Sequence, residues 1–329
     1  DFMQKRFMRL GRCRNDVACV NCGAARLPTG PPRRICDNQK GHVVSSLVNI
    51  HEVGPRDGLQ NEARVISVGQ KVALVKLLAS SGLRDIEVGS FVSPRWVPQM
   101  ADTDQVMAQL PALAGVTYAF LVPNMRGWQG FAAARGDRSN CEIAVFVSAS
   151  EGFSQSNLNC SIAQSVANLA PVVEAAFAAG VGVRGYVSCV TDCPFDGQTA
   201  PAQVADAVGM LRDVAPMRVS LGDTLGNGSP ERVTKMLEAV LKVVPAAELA
   251  GHFHDTGGRA LANIETALEL GLRAFDSAVG GLGGCPYAPG APGNVATEAV
   301  LSLLDRLGYE TGVDPAVIAQ AAEMARVMR

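Results

Sequence analysis

The chain has 329 residues, 48% of them hydrophobic and 18% charged, with a formal charge of −2. That length and apolar content suffice for a sizeable buried core. No apolar run reaches the roughly 18 to 20 uncharged residues that cross a bilayer, so a soluble protein with no membrane partner is expected. The charge is uneven: residues 1–46 carry nine Lys/Arg against three Asp/Glu, leaving 20 basic and 28 acidic residues beyond them. A mildly acidic body argues against a nucleic-acid partner, which needs clustered basic residues to displace counterions from phosphates.

In chain order, residues 1–46 stand apart. They lack helical or strand periodicity and contain the loop-forming "PTGPPRR". A basic, disordered extension is expected here, followed by a catalytic domain over 47–329. The arginine excess also admits an organelle-targeting segment, which would place the protein in the mitochondrial matrix; otherwise a cytoplasmic location is expected. Cys19 and Cys22 form a C-x-x-C pair near Cys13 and Cys36, which leaves a small zinc site open. The nine cysteines are odd in number and without framework spacing, as in a reducing compartment.

From residue 48 the chain repeats a β-branched run, a polar or Gly-rich loop and a longer Ala/Leu-rich helical pattern. Strands are predicted at 48–53, 85–91, 117–123, 142–149, 184–190, 218–223, 249–255 and 274–281. Helical patterns follow, among them "GQKVALVKLLASSG" and "PERVTKMLEAVLKVV", several ending at the glycine that suits a helix C-terminus. Eight strand-then-helix units over about 260 residues predict an α/β fold, a (β/α)8 TIM barrel. A doubly wound sheet is the alternative, but no strand leads into a G-x-G-x-x-G or G-x-x-x-x-G-K-[ST] phosphate loop.

A barrel gathers the unusual residues at the C-terminal ends of its strands. In "GHFHDTGG" the two-residue period turns His252 and His254 to one side of the seventh strand. Two imidazoles from one strand can chelate a metal, although strand histidines can also simply bond to backbone. The first strand ends in "EVGPRDGLQNE", offering Arg56 and Asp57; Asp57 is also a natural turn residue before Gly58. After the eighth strand, "GGLGGCPYAPGAPGN" ends at Asn294, a further ligand or the cap of the next helix. Two imidazoles, one carboxylate and one amide oxygen suit an octahedral divalent cation, Mg²⁺ or Mn²⁺, with zinc as the alternative, and leave room for two substrate oxygens. Glu87, in the apolar run "DIEVGSF", is costly to bury without a cation such as Arg56. Asp223 follows the sixth strand. Cys285 sits in a Gly/Pro-rich stretch that could carry a thiol over the site.

The stretches "VGPRDGLQNE", "IEVGSFVSPRWVPQMAD", "GYVSCVTDCPFDG", "SLGDTLGNGSP", "HFHDTGGRALANI" and "GLGGCPYAPGAPGNVATE" closely resemble 3-hydroxy-3-methylglutaryl-CoA lyases, from about residue 47 to the C-terminus. The resemblance implies cleavage of that acyl-CoA thioester to acetyl-CoA and acetoacetate, as in leucine degradation and ketone-body formation, by a homodimer. It implies a metal on Asp57, His252, His254 and Asn294. Arg56, Cys285 and Glu87 would be catalytic, and Arg56, Ser90, Ser220, Asp223 and Thr224 would contact substrate. The family commonly has a β-branched residue or alanine at 89, Tyr at 257 and Gln at 259, where this chain has Gly89, Gly257 and Arg259. Those departures leave open a longer-chain 3-hydroxyglutaryl-CoA of isoprenoid degradation. A related acyl-CoA condensing enzyme is a further alternative, but such enzymes lack "GGCPYAPGAPGN". With no cysteine after Cys285 and no "SKL"-like ending, a C-terminal thiol switch and peroxisomal import are not expected.

Overall fold

The structure is a computed structural model that describes residues 34–36, 43–285 and 288–329, with side chains at 46–283 and 293–329. Cys13, Cys19 and Cys22, and with them the zinc and targeting readings, lie outside the described residues, as does the side chain of Cys36. Within the expected loop-like extension, Arg34–Cys36 and Val43–Ser45 pair as a short antiparallel ribbon, which composition alone does not predict. Among the described residues no helix is long and apolar enough to cross a membrane.

Eight parallel strands close into a barrel: β1 (Asn49–Glu52), β2 (Asp85–Ser90), β3 (Thr117–Leu121), β4 (Cys141–Ser148), β5 (Gly182–Ser188), β6 (Arg218–Asp223), β7 (Leu249–Phe253) and β8 (Ala274–Ser277). β8 pairs with β1 and closes the wall, as the eight-unit rhythm predicts. Several predicted strands run past the observed ladder because turn chemistry ends it early. β8 stops at Ser277, not 281, since Gly280 and Gly281 adopt φ of 64° and 59°, a left-handed backbone that cannot extend a strand. Beyond Phe253, His254 leaves β7 and forms a single bridge with Asn294.

The strand period of two sorts side chains into two environments. On β4, Ile143, Val145 and Val147 belong to the core shared with the surrounding helices, which contribute Leu169, Val172 and Val173 among others. Burying each such aliphatic side chain is worth about 1.5–3 kcal/mol. The alternate β4 residue Ala144 belongs to a separate small cluster with Leu121 and Tyr186, with Phe146 packed against it. That cluster fills one side of the lumen. The other side is polar: His51, Glu87, Arg184, Ser220, Asp276 and His252 are all at most 8% exposed. Barrel interiors are ordinarily layers of Val, Ile and Leu, so this one is built for more than packing.

His51 gives the interior a measurable signature. Burial, aided by the positive charge of Arg184, holds its imidazole neutral, well below the ordinary 6.5. Below pH 6.5 the unfolded chain takes up a proton at this residue that the folded chain refuses, so His51 removes stability as pH falls. Replacing His51 with leucine is therefore expected to gain about 1.4 kcal/mol relative to the parent between pH 7.5 and 5.5. Urea unfolding at the two pH values measures it; an unchanged difference would show that His51 titrates normally.

Candidate active site

Arg56 and Asp57 owe their placement to a single backbone acceptor. At the end of β1 the Val53 carbonyl takes hydrogen bonds from three successive amides, Arg56 at 3.1 Å, Asp57 at 2.8 Å and Gly58 at 3.2 Å. This wide turn, Gly54–Gly58, is a geometry that recurs at functional sites. Glu52, just before it, accepts from Gly54 N (2.8 Å), Val279 N (2.9 Å) and the Thr297 hydroxyl (2.6 Å). One fully buried carboxylate thus ties the turn to the end of β8 and to the start of the helix Thr297–Arg306.

Arg56 is 5% exposed and lies between two carboxylates. Its Nη1 meets Asp57 Oδ1 at 2.6 Å, and its Nη2 donates to Glu87 Oε2 at 2.9 Å, with Nε at 2.9 Å from Glu87 Oε1. The Tyr186 hydroxyl donates to Glu87 Oε2 at 2.7 Å, and its ring lies 5.8 Å from the Arg56 guanidinium. Burial opposes the guanidinium charge, but Glu87 and Asp57 outweigh it, so Arg56 is held cationic. The pairing of Glu87 with Arg56, argued above from desolvation cost, is present.

The ligating atoms of Asp57, His252 and His254 all lie within 4.8 Å of one another. His252 Nε2 is 3.2 Å from His254 Nε2 and 3.9 Å from Asp57 Oδ2. Two imidazole nitrogens facing each other beside a carboxylate suit a shared cation. Burial, with the charge of His252 second, holds His254 down at about 4. Burial alone would raise Asp57, but Arg56 and His252 outweigh it and bring it to about 2. Both groups therefore stand in their ligating forms at neutral pH. His252 moves the other way: burial disfavours its charge, but the hydrogen bond and charge of Asp276 overcome it and raise the pKa.

Asn294 joins this group. Its amide nitrogen donates to Asp57 Oδ2 at 2.8 Å and to the Leu282 carbonyl at 3.4 Å. The following helix starts at Thr297 with Ala296 at its cap position, so the alternative reading of Asn294 as a helix cap is overturned. Cys285 lies on the short strand Gly284–Cys285, paired with Ala288–Pro292, but its side chain lies outside the described residues.

The remaining predicted positions are engaged with protein groups. Ser220, fully buried, donates to Asp276 Oδ2 at 2.6 Å. Asp223 accepts from the Thr191 hydroxyl (2.5 Å) and Gly228 N (2.9 Å), which pins the loop after β6. The Thr224 hydroxyl accepts from Cys189 N at 2.9 Å, and that of Ser90 from Val92 N at 3.2 Å.

The profile of the family described as HMGL-like matches residues 47–325. The chain belongs to the HMGL-like family. The hydroxymethylglutaryl-CoA lyase of Pseudomonas mevalonii is 55% identical over 83% of this chain and 89% of its own. A Pseudomonas aeruginosa protein named 3-hydroxy-3-isohexenylglutaryl-CoA/hydroxy-methylglutaryl-CoA lyase is 52% identical over 84% of this chain and 91% of its own. The crystal structure of the HMG-CoA lyase of Brucella melitensis superposes with a TM-score of 0.83, at 52% identity, over 86% of this chain and 99% of that one.

The glycines that depart from the usual HMGL-like pattern each have a local cause. A Cβ on Gly89 would stand 2.7 Å from the Thr103 hydroxyl, which accepts from Ser90 N and donates to the Met100 carbonyl. A Cβ on Gly257 would stand 2.9 Å from the Gly226 carbonyl, which accepts from Gly257 N. Tyr186, Arg184, Asp276 and Glu52 are site residues that the sequence reading did not select. For Arg184 and Asp276 the signal was the same that exposed Glu87, a charged residue inside an apolar strand run.

Proposed function

We infer that the protein cleaves 3-hydroxy-3-methylglutaryl-CoA to acetyl-CoA and acetoacetate by a retro-Claisen reaction. The observation that carries this reading is the apposition of His252, His254 and Asp57 beside a buried, permanently cationic Arg56. Asp57, His252 and His254 would hold a divalent cation, Mg²⁺ or Mn²⁺, with Asn294 anchoring Asp57 and offering its own oxygen. When bound, the cation supplies Lewis acidity that lowers the pKa of the substrate's tertiary hydroxyl.

Once the hydroxyl proton passes to the Cys285 thiolate, the C2–C3 bond breaks, its electron pair passes to C2 as the thioester enolate, and C3 becomes the ketone of acetoacetate. The enolate is the high-energy species, and positive charge fixed where it forms is the largest available stabilisation. Arg56 supplies that charge without reorganising, because Glu87 and Tyr186 already hold it in place. Cys285, on the segment after β8, is assigned to return a proton to the enolate carbon. Ser90 and Asp223 end β2 and β6, and Thr224 follows directly after β6; at this end of the barrel they would position the acyl chain.

The test is direct. Purified protein with Mg²⁺ or Mn²⁺ is expected to release acetoacetate from 3-hydroxy-3-methylglutaryl-CoA; metal-loaded protein that binds the thioester and releases none overturns the reading. A longer-chain substrate is not favoured: the relative 55% identical to this chain is named for hydroxymethylglutaryl-CoA alone, and the one whose name includes isohexenylglutaryl-CoA is named for hydroxymethylglutaryl-CoA as well. Cys285→Ser is expected to lose most turnover while retaining metal. Turnover near that of the parent would remove Cys285 from the mechanism.

A further inference from the structure

Of the two histidines at the candidate metal centre, His252 has a far side that is itself built. His252 on β7 pairs in register with Asp276 on β8 and with Gly222 on β6. Neighbours in parallel register send their side chains to the same face, and the side without a side chain, at Gly222, leaves the imidazole room to lean. Asp276 Oδ2 stands 3.1 Å from His252 Nδ1 and also accepts the Ser220 hydroxyl at 2.6 Å. Its Oδ1 takes the Arg184 guanidinium. Asp276 is 2% exposed, Arg184 3% and Ser220 0%, so the carboxylate is fixed from three sides by protein groups.

We propose that Asp276 is a positioning residue for the metal centre: it holds His252 as the Nδ1–H tautomer, with Nε2 turned toward His254 and Asp57. This rests on the reading of those three residues as metal ligands. The chemistry is asymmetric. A carboxylate can only accept, so the imidazole edge facing Asp276 must carry the proton, and the lone pair falls on Nε2. A ring flip or the other tautomer would leave a buried carboxylate oxygen short of a donor, which is costly where water cannot replace it. Such outer partners also raise the basicity of the ligating nitrogen. Arg184 extends the support further, since its guanidinium lies 5.2 Å from the ring of Tyr186, the same tyrosine that bonds to Glu87 behind Arg56. The elements that aim the metal ligand and those that aim the cation therefore share one buried wall.

Titration of the metal-free protein with Mn²⁺, followed by the electron paramagnetic resonance of the free ion, separates the outcomes. The parent protein is expected to take up Mn²⁺, and Asp276→Asn to bind it 10- to 100-fold more weakly, because an amide can face Nδ1 with either its donor or its acceptor. Turnover of Asp276→Asn is expected to recover as Mn²⁺ is raised, which general misfolding would not allow. Affinity within twofold of the parent overturns the proposal, whereas a parent that takes up no Mn²⁺ overturns the metal reading itself. Should the uncompensated Arg184 keep Asp276→Asn from folding, nitrogen-15 spectra of the parent protein decide the matter. With four histidines in the chain, the His252 signals are assigned by their loss in His252→Gln. A proton on Nδ1 is expected, and one on Nε2 in place of Nδ1 overturns the proposal.

Discussion

Replacing Arg56 with glutamine is expected to lower kcat by roughly 10²- to 10³-fold, equivalent to about 3–4 kcal/mol, with a much smaller change in KM. The asymmetry follows from when the charge is needed. In the ground state the thioester carries no formal charge near Arg56, so removing the guanidinium costs little binding. In the transition state the enolate develops negative charge beside a guanidinium that is 5% exposed, where a fixed cation is worth more than in solution. The substitution carries a second cost, because it leaves Glu87, fully buried, with only the Tyr186 hydroxyl. Breaking a buried pair by removing one partner is destabilising by about 3–5 kcal/mol, so a lowered melting temperature should accompany the kinetic loss. Arg56→Lys separates the two effects: it retains the charge but not the fork that meets Asp57 and Glu87 together, and should recover much of the stability and part of the rate. A change confined to KM in both variants would make Arg56 a binding residue only.

Removal of the divalent ion is expected to abolish acetoacetate release, and Mg²⁺ or Mn²⁺ to restore it. Among substitutions, His254→Ala should weaken Mn²⁺ binding by more than the 10- to 100-fold that loss of a supporting group costs, since it deletes one of the clustered atoms proposed to hold the ion directly. Burial and the charge of His252 hold His254 near 4, so its imidazole is neutral and offers a lone pair at neutral pH. Isothermal titration of the chelated protein with Mn²⁺ measures both effects. Chelated protein that retains full turnover would exclude a catalytic role for the ion.

Much of this was legible before any coordinates. The eight-unit rhythm is a one-dimensional pattern, set by periods of two and 3.6 and punctuated by glycine, so barrel closure and the order of β1 to β8 follow from the sequence. His252 and His254 were legible because the strand period alone puts them on one side, and Asp57 because β8 must close against β1. Glu87 was legible as a carboxylate in an apolar run. By the same logic Asp276 and Arg184 were within reach, yet nothing in "AFDSAVGG" says that its aspartate meets an imidazole; that depends on the register that sets Asp276 beside His252.

What only the tertiary structure decided lies in contacts between residues far apart in the chain. Asn294 read as a ligand or a helix cap; a helix that begins three residues later removes the cap reading, and the side chain instead donates to a carboxylate 237 positions away. Ser220 and Asp223 matched a motif, but which atoms their oxygens would meet was settled by side chains on β8 and on the loop after β5. Gly257 and Gly89 read as departures bearing on acyl-chain specificity; the structure puts the Gly226 carbonyl and the Thr103 hydroxyl within 3 Å of where a Cβ would stand. Local pattern determines which elements form and which face they bury, because those are properties of successive residues. Register, turn geometry and packing determine which buried polar groups meet, because an unpaired buried charge or hydrogen-bonding group is too costly to leave to chance.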